Sequence, residues 1–190
     1  IRKNYGHLSI GISIDGDKAL HDSCRVFHDG SGSYDIVAKS AKHLLQIYPT
    51  AGTKVTLAPE NLPYLTGAIR HLYSLGYHNI PANCVFEDVW QEHHPKLLYA
   101  QLIELADWMI DNDIYKDLYT SLFEERFVQL PSREEYERQK TTAFCGGNGR
   151  MVAFAPDGKV YPCLRYMKHS LNNQPERPIG ELSLGLYTDK

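Results

Sequence analysis

At 190 residues, the chain has room for one domain, or one and a fraction. Its 43% hydrophobic and 23% charged residues suit a globular fold, and a formal charge of −3 gives no basic footprint for nucleic acid. No apolar run approaches the roughly 20 residues of a membrane span, no secretory signal is legible, and four irregularly spaced cysteines make no secreted disulfide framework; a reducing cytoplasm is the expected compartment.

The chain opens at Ile1, not Met, and runs at once into a strand pattern, so both ends read as cut. Residues 7–14 (HLSIGISI) alternate and are rich in isoleucine, which predicts a buried strand ending at the Asp15-Gly16 turn. A polar loop follows, and Ser33 is the expected N-cap of a helix over Tyr34 to Ile47. Its expected apolar face is Ile36, Val37, Ala41, Leu44 and Ile47, with Pro49 closing it. A second strand is predicted over Thr53 to Leu57. Asn61 should then cap a helix with Pro63 in its first turn, a stripe of Leu62, Leu65, Ile69 and Leu72, and Gly76 beyond its end. A third strand is predicted near Asn79 to Phe86. Strand–helix–strand–helix–strand at this spacing implies parallel strands with right-handed crossovers. Three strands cannot close a barrel; they fit either a slice of a (β/α) barrel or a small doubly wound sheet. In both, the functional ends are the C-terminal strand ends.

From Trp90 to Phe127 the pattern is helical, with Leu98, Leu102, Leu105 and Met109 in one helix and Tyr115 to Phe123 in a second, split by an Asp-Asn-Asp break at 111–113. Residues 133–140 (REEYERQK) read as a solvated helical linker. Residues 145–163 (CGGNGRMVAFAPDGKVYPC) place two cysteines around a β-hairpin. Met151 to Ala155 and Lys159 to Tyr161 are its strands, Pro156-Asp157-Gly158 is its turn, and Gly146, Gly147 and Gly149 allow close backbone approach beside Cys145. Taken alone, the cysteines are a metal-ligand pair, iron or zinc, or two ordinary buried or disulfide-bonded thiols.

Two motifs carry a family resemblance. Ser13-Ile14-Asp15-Gly16, then His21-Asp22-Ser23-Cys24-Arg25, then Asp29-Gly30-Ser31-Gly32-Ser33 resembles the loop after the fourth barrel strand in radical S-adenosylmethionine (SAM) enzymes of the SPASM group. The anaerobic sulfatase-maturing enzymes have the nearest pattern. Cys145, twelve residues, Gly158, four residues, Cys163 resembles the opening of the SPASM (twitch-type) extension that follows their barrel. The resemblance implies an α/β fold. Residues 1–92 would be the C-terminal half of a partial (β/α)6 radical SAM barrel, 93–140 a helical connection, and 141–190 the β-hairpin start of a SPASM domain. It implies that Ser13 and Arg25 hold the amino-acid end of SAM, with Asp15 also among the cofactor-binding residues, that Ile80 packs on the adenine, and that Cys145 and Cys163 ligate an auxiliary [4Fe–4S] cluster. Arg25 suits a carboxylate, because a guanidinium grips it with two charge-assisted bonds. The implied parent enzyme cleaves SAM to a 5′-deoxyadenosyl radical and oxidises or crosslinks a peptide or protein substrate.

The chain departs from that pattern in three ways. The CxxxCxxC triplet that binds the SAM-cleaving cluster is absent, so the fragment as given is expected to be inactive. Leu164 stands where the sulfatase-maturing enzymes have the proton-accepting Asp, and Met151 where they have a further cysteine. Both favour other peptide maturases, installing thioether or carbon–carbon crosslinks, and no catalytic acid or base is named. The alternative is a non-catalytic peptide-binding or assembly module that kept the fold and lost the clusters. An open slice of barrel is expected to self-associate.

Other residues take ordinary readings. His93 and His94 diverge as neighbours and are expected in a solvated loop. Cys24 and Cys84 are expected as small buried hydrophobes, and Glu60 and Asp88 as capping or solvated acids. Trp90, Trp108 and the tyrosines are expected in packing roles. No P-loop, GxGxxG or GxSxG is present.

Overall fold

The three- and four-residue spacing of Leu62, Leu65, Ile69 and Leu72 builds a helical stripe that is fully buried, each side chain contributing about 1.5–3 kcal/mol of hydrophobic stabilisation. The computed structural model describes residues 10–85, 88–124, 132, 134, 135, 151–168 and 175–187. It divides into two units, Ile1–Gln129 and Leu130–Lys190, each with its own sheet.

In the first unit the helices are α1 (Lys18–Cys24), α2 (Tyr34–Ile47), α3 (Leu65–Ser74) and α4 (His94–Asp111). Strands β1 (Val55–Leu57) and β2 (Ala82–Cys84) pair in parallel, with Val55 opposite Ala82, Thr56 opposite Asn83 and Leu57 opposite Cys84. Thr53 N–H donates to Asn79 O at 3.0 Å and Val85 N–H to Leu57 O at 2.8 Å, extending the pairing at both ends. The alternation turns Val55 and Leu57 into a core with Ile14, Ile69, Leu72 and Leu105.

Strands β1 and β2 are both shorter than the sequence pattern implied. Residues 10–14 of the expected first strand form no ladder; residues 7–9 and Phe86 lie outside the described residues. Thr53 spends its amide on Asn79, and only its hydroxyl reaches back, donating to Ile12 O at 2.8 Å. Ile14 is nonetheless fully buried, and Ser13 beside it is exposed.

Helix α2 has the predicted bounds and turns Val37 and Ala41 of its expected face inward, but the inward face is rotated away from Ile36 and Ile47. Ala38 and Ala41 are buried and Tyr34, Val37 and Leu45 pack beside them, whereas Ile36 and Ile47 are 63% and 69% exposed. Ser33 sits at the N-cap position without capping; Asp22 Oδ1 instead accepts the Tyr34 amide at 2.8 Å. Asn61 likewise precedes a 3-10 turn (Leu62–Tyr64) without capping it. Its side chain accepts from Ala58 N–H at 2.8 Å and donates to Thr56 O at 2.7 Å, stitching the turn to β1.

Within the segment expected as a helical connection, α4 packs within the first unit, and Leu105 and Met109 enter its core. The predicted second helix over 115–123 is replaced by two 3-10 turns, Ile114–Lys116 and Ser121–Phe123. Between them the chain is extended against the segment leading into β2. Ile80 N–H donates to Tyr119 O at 2.9 Å, and Ser121 Oγ bonds both the amide and the carbonyl of Ala82. Those sheet bonds outweigh a marginal helical period. His94, expected in a solvated loop, is buried in the first turn of α4, its Nδ1 accepting from Gln91 N–H at 2.8 Å and its ring against Trp90. Residues Phe127 and 133, and 136–140 of the expected linker, lie outside the described residues; Ser132 and Glu135 exchange the two reciprocal bonds of a capping box.

The second unit contains an antiparallel sheet of β3 (Ala153–Phe154), β4 (Lys159–Tyr161), β5 (Gly180–Glu181) and β6 (Gly185–Leu186), in that order. The predicted hairpin is β3–β4: Gly158 takes φ +87° and donates to Ala155 O at 2.9 Å. Tyr161 is buried with its hydroxyl on Glu176 Oε2 at 2.6 Å, which pushes its pKa up to about 12. Lys159 Nζ holds the other Glu176 oxygen at 2.9 Å, so Glu176 ties the approach to β5 onto β4.

Candidate functional site

The segment leaving the core at Ile14 delivers Asp15, whose side chain is only 6% exposed. A carboxylate that deep needs a partner, and Arg25, one residue past α1, supplies it. Arg25 Nε donates to Asp15 Oδ2 and Nη2 to Asp15 Oδ1. The pairing raises the arginine pKa further above its ordinary value. Two donors are spent there; the Nη1 hydrogens and the second Nη2 hydrogen remain on a side chain 42% exposed. The guanidinium is thus oriented from one edge while other donors remain for a ligand oxygen.

What holds Arg25 is a polar lattice built from the same two motifs. Asp17 caps α1, its Oδ1 accepting the Leu20 amide at 2.9 Å. The Arg25 amide closes the helix on His21 O at 2.8 Å. His21 is fully buried. Its Nδ1 lies 3.3 Å from the Asp15 amide and its Nε2 lies 3.0 Å from Ser33 Oγ, which itself donates to Arg25 O at 2.7 Å. Burial lowers the His21 pKa from its ordinary 6.5, against the pull of the Asp15 carboxylate. Its contribution to stability is therefore complete above 6.5 and declines as pH falls below that value, where the unfolded chain takes the proton first.

The loop between them is equally specified. Asp29 Oδ1 accepts from both the amide and the hydroxyl of Ser31, which lowers the Asp29 pKa, and Val26 bridges Gly32. Gly32 passes so close to the Asp22 carboxylate that a Cβ there would collide with it.

The structure thus brings Asp15 and Arg25 together. Ser13 is exposed and lines a hollow of about 390 Å3 with Gly52, Lys54 and Asn79. Ile80 is fully enclosed in the core beside Ile14, Val55 and Leu57. A larger hollow, about 650 Å3, opens among α1, α3 and α4 and contains Cys24, Glu60 and Glu104 but none of the four expected residues. The pairing of buried Asp15 with the exposed Arg25 is the stronger indicator of a site: concavity alone carries no chemistry, whereas a lattice built to hold one guanidinium does. Cys24 and Cys84, expected to be buried, are both exposed, although burial still pushes the Cys84 thiol pKa up. Glu60 and Asp88 are exposed as expected. His21, Asp22 and Ser33 were not singled out as site residues; the signal was their place inside the two motifs, which sequence alone could not divide into ligand-binding and supporting roles.

In the second unit Cys163 is buried at the end of β4 and free; Cys145 lies outside the described residues, as do Gly146, Gly147 and Gly149. Met151 and Leu164 are exposed. Among the described residues no group of three or more His, Cys, Asp or Glu is gathered that could hold a metal ion. An iron–sulfur cluster needs several thiolates; the described part of this unit offers one, Cys163, which by itself does not make a cluster site.

No family model and no curated sequence matches the chain. A structural comparison does: the fold is one shared with a radical SAM enzyme. That solved structure is native anSMEcpe with bound AdoMet (SAM), an anaerobic sulfatase-maturating enzyme. The likeness has a TM-score of 0.60 at 16% identity, covering 95% of this chain and 48% of that one. The chain therefore spans about half the length of the structure it resembles. No helix among the described residues is long and apolar enough to cross a membrane.

Proposed function

We propose that the chain is the later half of a partial radical SAM barrel with the start of a SPASM extension, from an enzyme that modifies a peptide or protein by radical chemistry. The observation that carries this is the fold likeness to an AdoMet-bound enzyme over 95% of the chain. Its counterpart in chemistry is the Arg25 guanidinium held by Asp15. In this reading the free edge of Arg25 takes the methionine carboxylate of AdoMet, Asp15 fixes the angle of approach, and the Ser13 hydroxyl bonds the amino-acid end. Ile80, expected against the adenine, is enclosed in the core with Ile14. When bound and reduced by one electron, AdoMet supplies a 5′-deoxyadenosyl radical that takes hydrogen from the substrate; the cofactor brings that chemistry and the protein brings position. Cys145 and Cys163 would serve an auxiliary cluster completed by ligands from elsewhere in the parent polypeptide.

The test is the natural reading frame containing residues 1–190. Purified without oxygen, loaded with iron and sulfide and given AdoMet and a one-electron reductant, its product should release methionine and 5′-deoxyadenosine. Failure to form either, or a frame without CxxxCxxC, contradicts the reading.

A further inference from the structure

The hydrogen bonds around His21 allow one assignment of protons. The Asp15 amide can only donate, so His21 Nδ1 must accept it. The ring hydrogen is then on Nε2 and goes to Ser33 Oγ, whose own proton goes to Arg25 O. Arg25 N–H returns to His21 O. The Asp15 amide directly, and the Arg25 carbonyl through Ser33, are therefore held by a single buried imidazole, while the Arg25 amide rests on the backbone carbonyl of the same residue. We infer that His21 is a positioning residue: as a neutral, Nε2-protonated ring it sets the Asp15–Arg25 pair for a ligand carboxylate, and its protonation releases that pair. The binding half of this inference rests on the AdoMet reading; the positioning half does not.

Protonation would place a second N–H against the Asp15 amide, two donors facing each other where one bond had been. Every element packed on the ring has its say in when this happens. The Asp15 and Asp22 carboxylates favour the charged ring, while the Arg25 guanidinium and burial oppose it, burial being the largest influence. From α2, the Tyr34 ring meets His21 in a T-shaped contact at a centroid distance of 5.9 Å, and its hydroxyl bonds His71 Nε2 of α3 at 2.6 Å. The Lys18–Asp35 ion pair lies beyond Asp22, exposed and screened. Neither Tyr34 nor Lys18 supplies a proton acceptor that would replace the Asp15 amide contact.

Two readouts on the whole 190-residue chain separate the parts. In ligand-free protein, nitrogen–proton correlation of the ring should give the Nε2–H tautomer at neutral pH, with a slowly exchanging Arg25 Nε–H. That signal should collapse as His21 takes its proton below pH 6.5. In calorimetry with AdoMet, binding should weaken about tenfold across the same titration. Ser33→Ala should weaken it about tenfold at neutral pH, and Ser33→Thr, which keeps the hydroxyl, should restore it. An Nδ1–H tautomer, an Arg25 Nε–H indifferent to the His21 titration, or a Ser33→Thr no better than Ser33→Ala overturns the inference. Absence of AdoMet binding at every pH, with the Arg25 signal still following His21, would sink the AdoMet reading and leave the positioning role standing.

Discussion

Gly32 has no space for a methyl group. Its would-be Cβ direction is filled by the Asp22 carboxylate, which is needed where it is because it caps α2 through the Tyr34 amide. Replacing Gly32 with Ala should destabilise the first unit by about 2 kcal/mol, as overpacking does. Gly67, inside α3 with nothing near its missing Cβ, should behave oppositely. Gly67→Ala should stabilise by about 1 kcal/mol through helix propensity and unfolded-state entropy. Urea unfolding of the two variants reads both signs; equal effects would mean that the close approach at Gly32 does not exist in solution. At this scale the sequence was partly legible. The residues of HDxxR and DGSGS stood out as a set, but their division of labour did not. Whether a serine caps a helix, holds a histidine or binds a ligand depends on partners twelve or more residues away, and no local pattern encodes that.

Helix α2 carries the clearest element-scale lesson. Its bounds follow from the sequence, but its buried face does so only in part, at Val37 and Ala41, because two overlapping sets of positions share the same helical period. Large side chains at Ile36 and Ile47 dominate any hydrophobicity count, yet the buried positions are the alanines at 38 and 41, whose small size lets the helix lie close to α1 and the core. Ile36→Ser and Ile47→Ser should each cost less than about 0.5 kcal/mol, whereas Ala41→Leu should cost about 1–3 kcal/mol. The reverse ranking in thermal unfolding would restore the bulky face as the buried one. The buried stripe of helix α3 was legible, since it had no rival, but its start was not: Leu62 to Tyr64 form a separate 3-10 turn that Asn61 does not cap. The extended residues around Tyr119 were not, because their bonds come from Asn79 to Ala82, forty residues away. Strands β5 and β6 were missed as well: two residues each, they are set by pairing onto the β3–β4 hairpin and by Glu176 reaching Lys159 and Tyr161, with no period of their own.

At the scale of the whole molecule, an α/β pattern read from strand and helix spacing agrees with a fold shared with a radical SAM enzyme at an identity too low for sequence comparison to register. In this chain each position of the short motif answers a physical demand: the Asp15 carboxylate is buried, the Arg25 guanidinium pairs with it, the His21 imidazole takes the Asp15 amide, and Gly32 leaves room for the Asp22 carboxylate. The most direct trial of the account asks whether that guanidinium meets a carboxylate. Calorimetric titration of the chain with AdoMet and with decarboxylated AdoMet isolates the one group in question. The account predicts saturable binding of AdoMet about tenfold or more tighter than of the decarboxylated form, a preference erased by Arg25→Ala. Equal affinity for the two, or a preference that persists in Arg25→Ala, would contradict it.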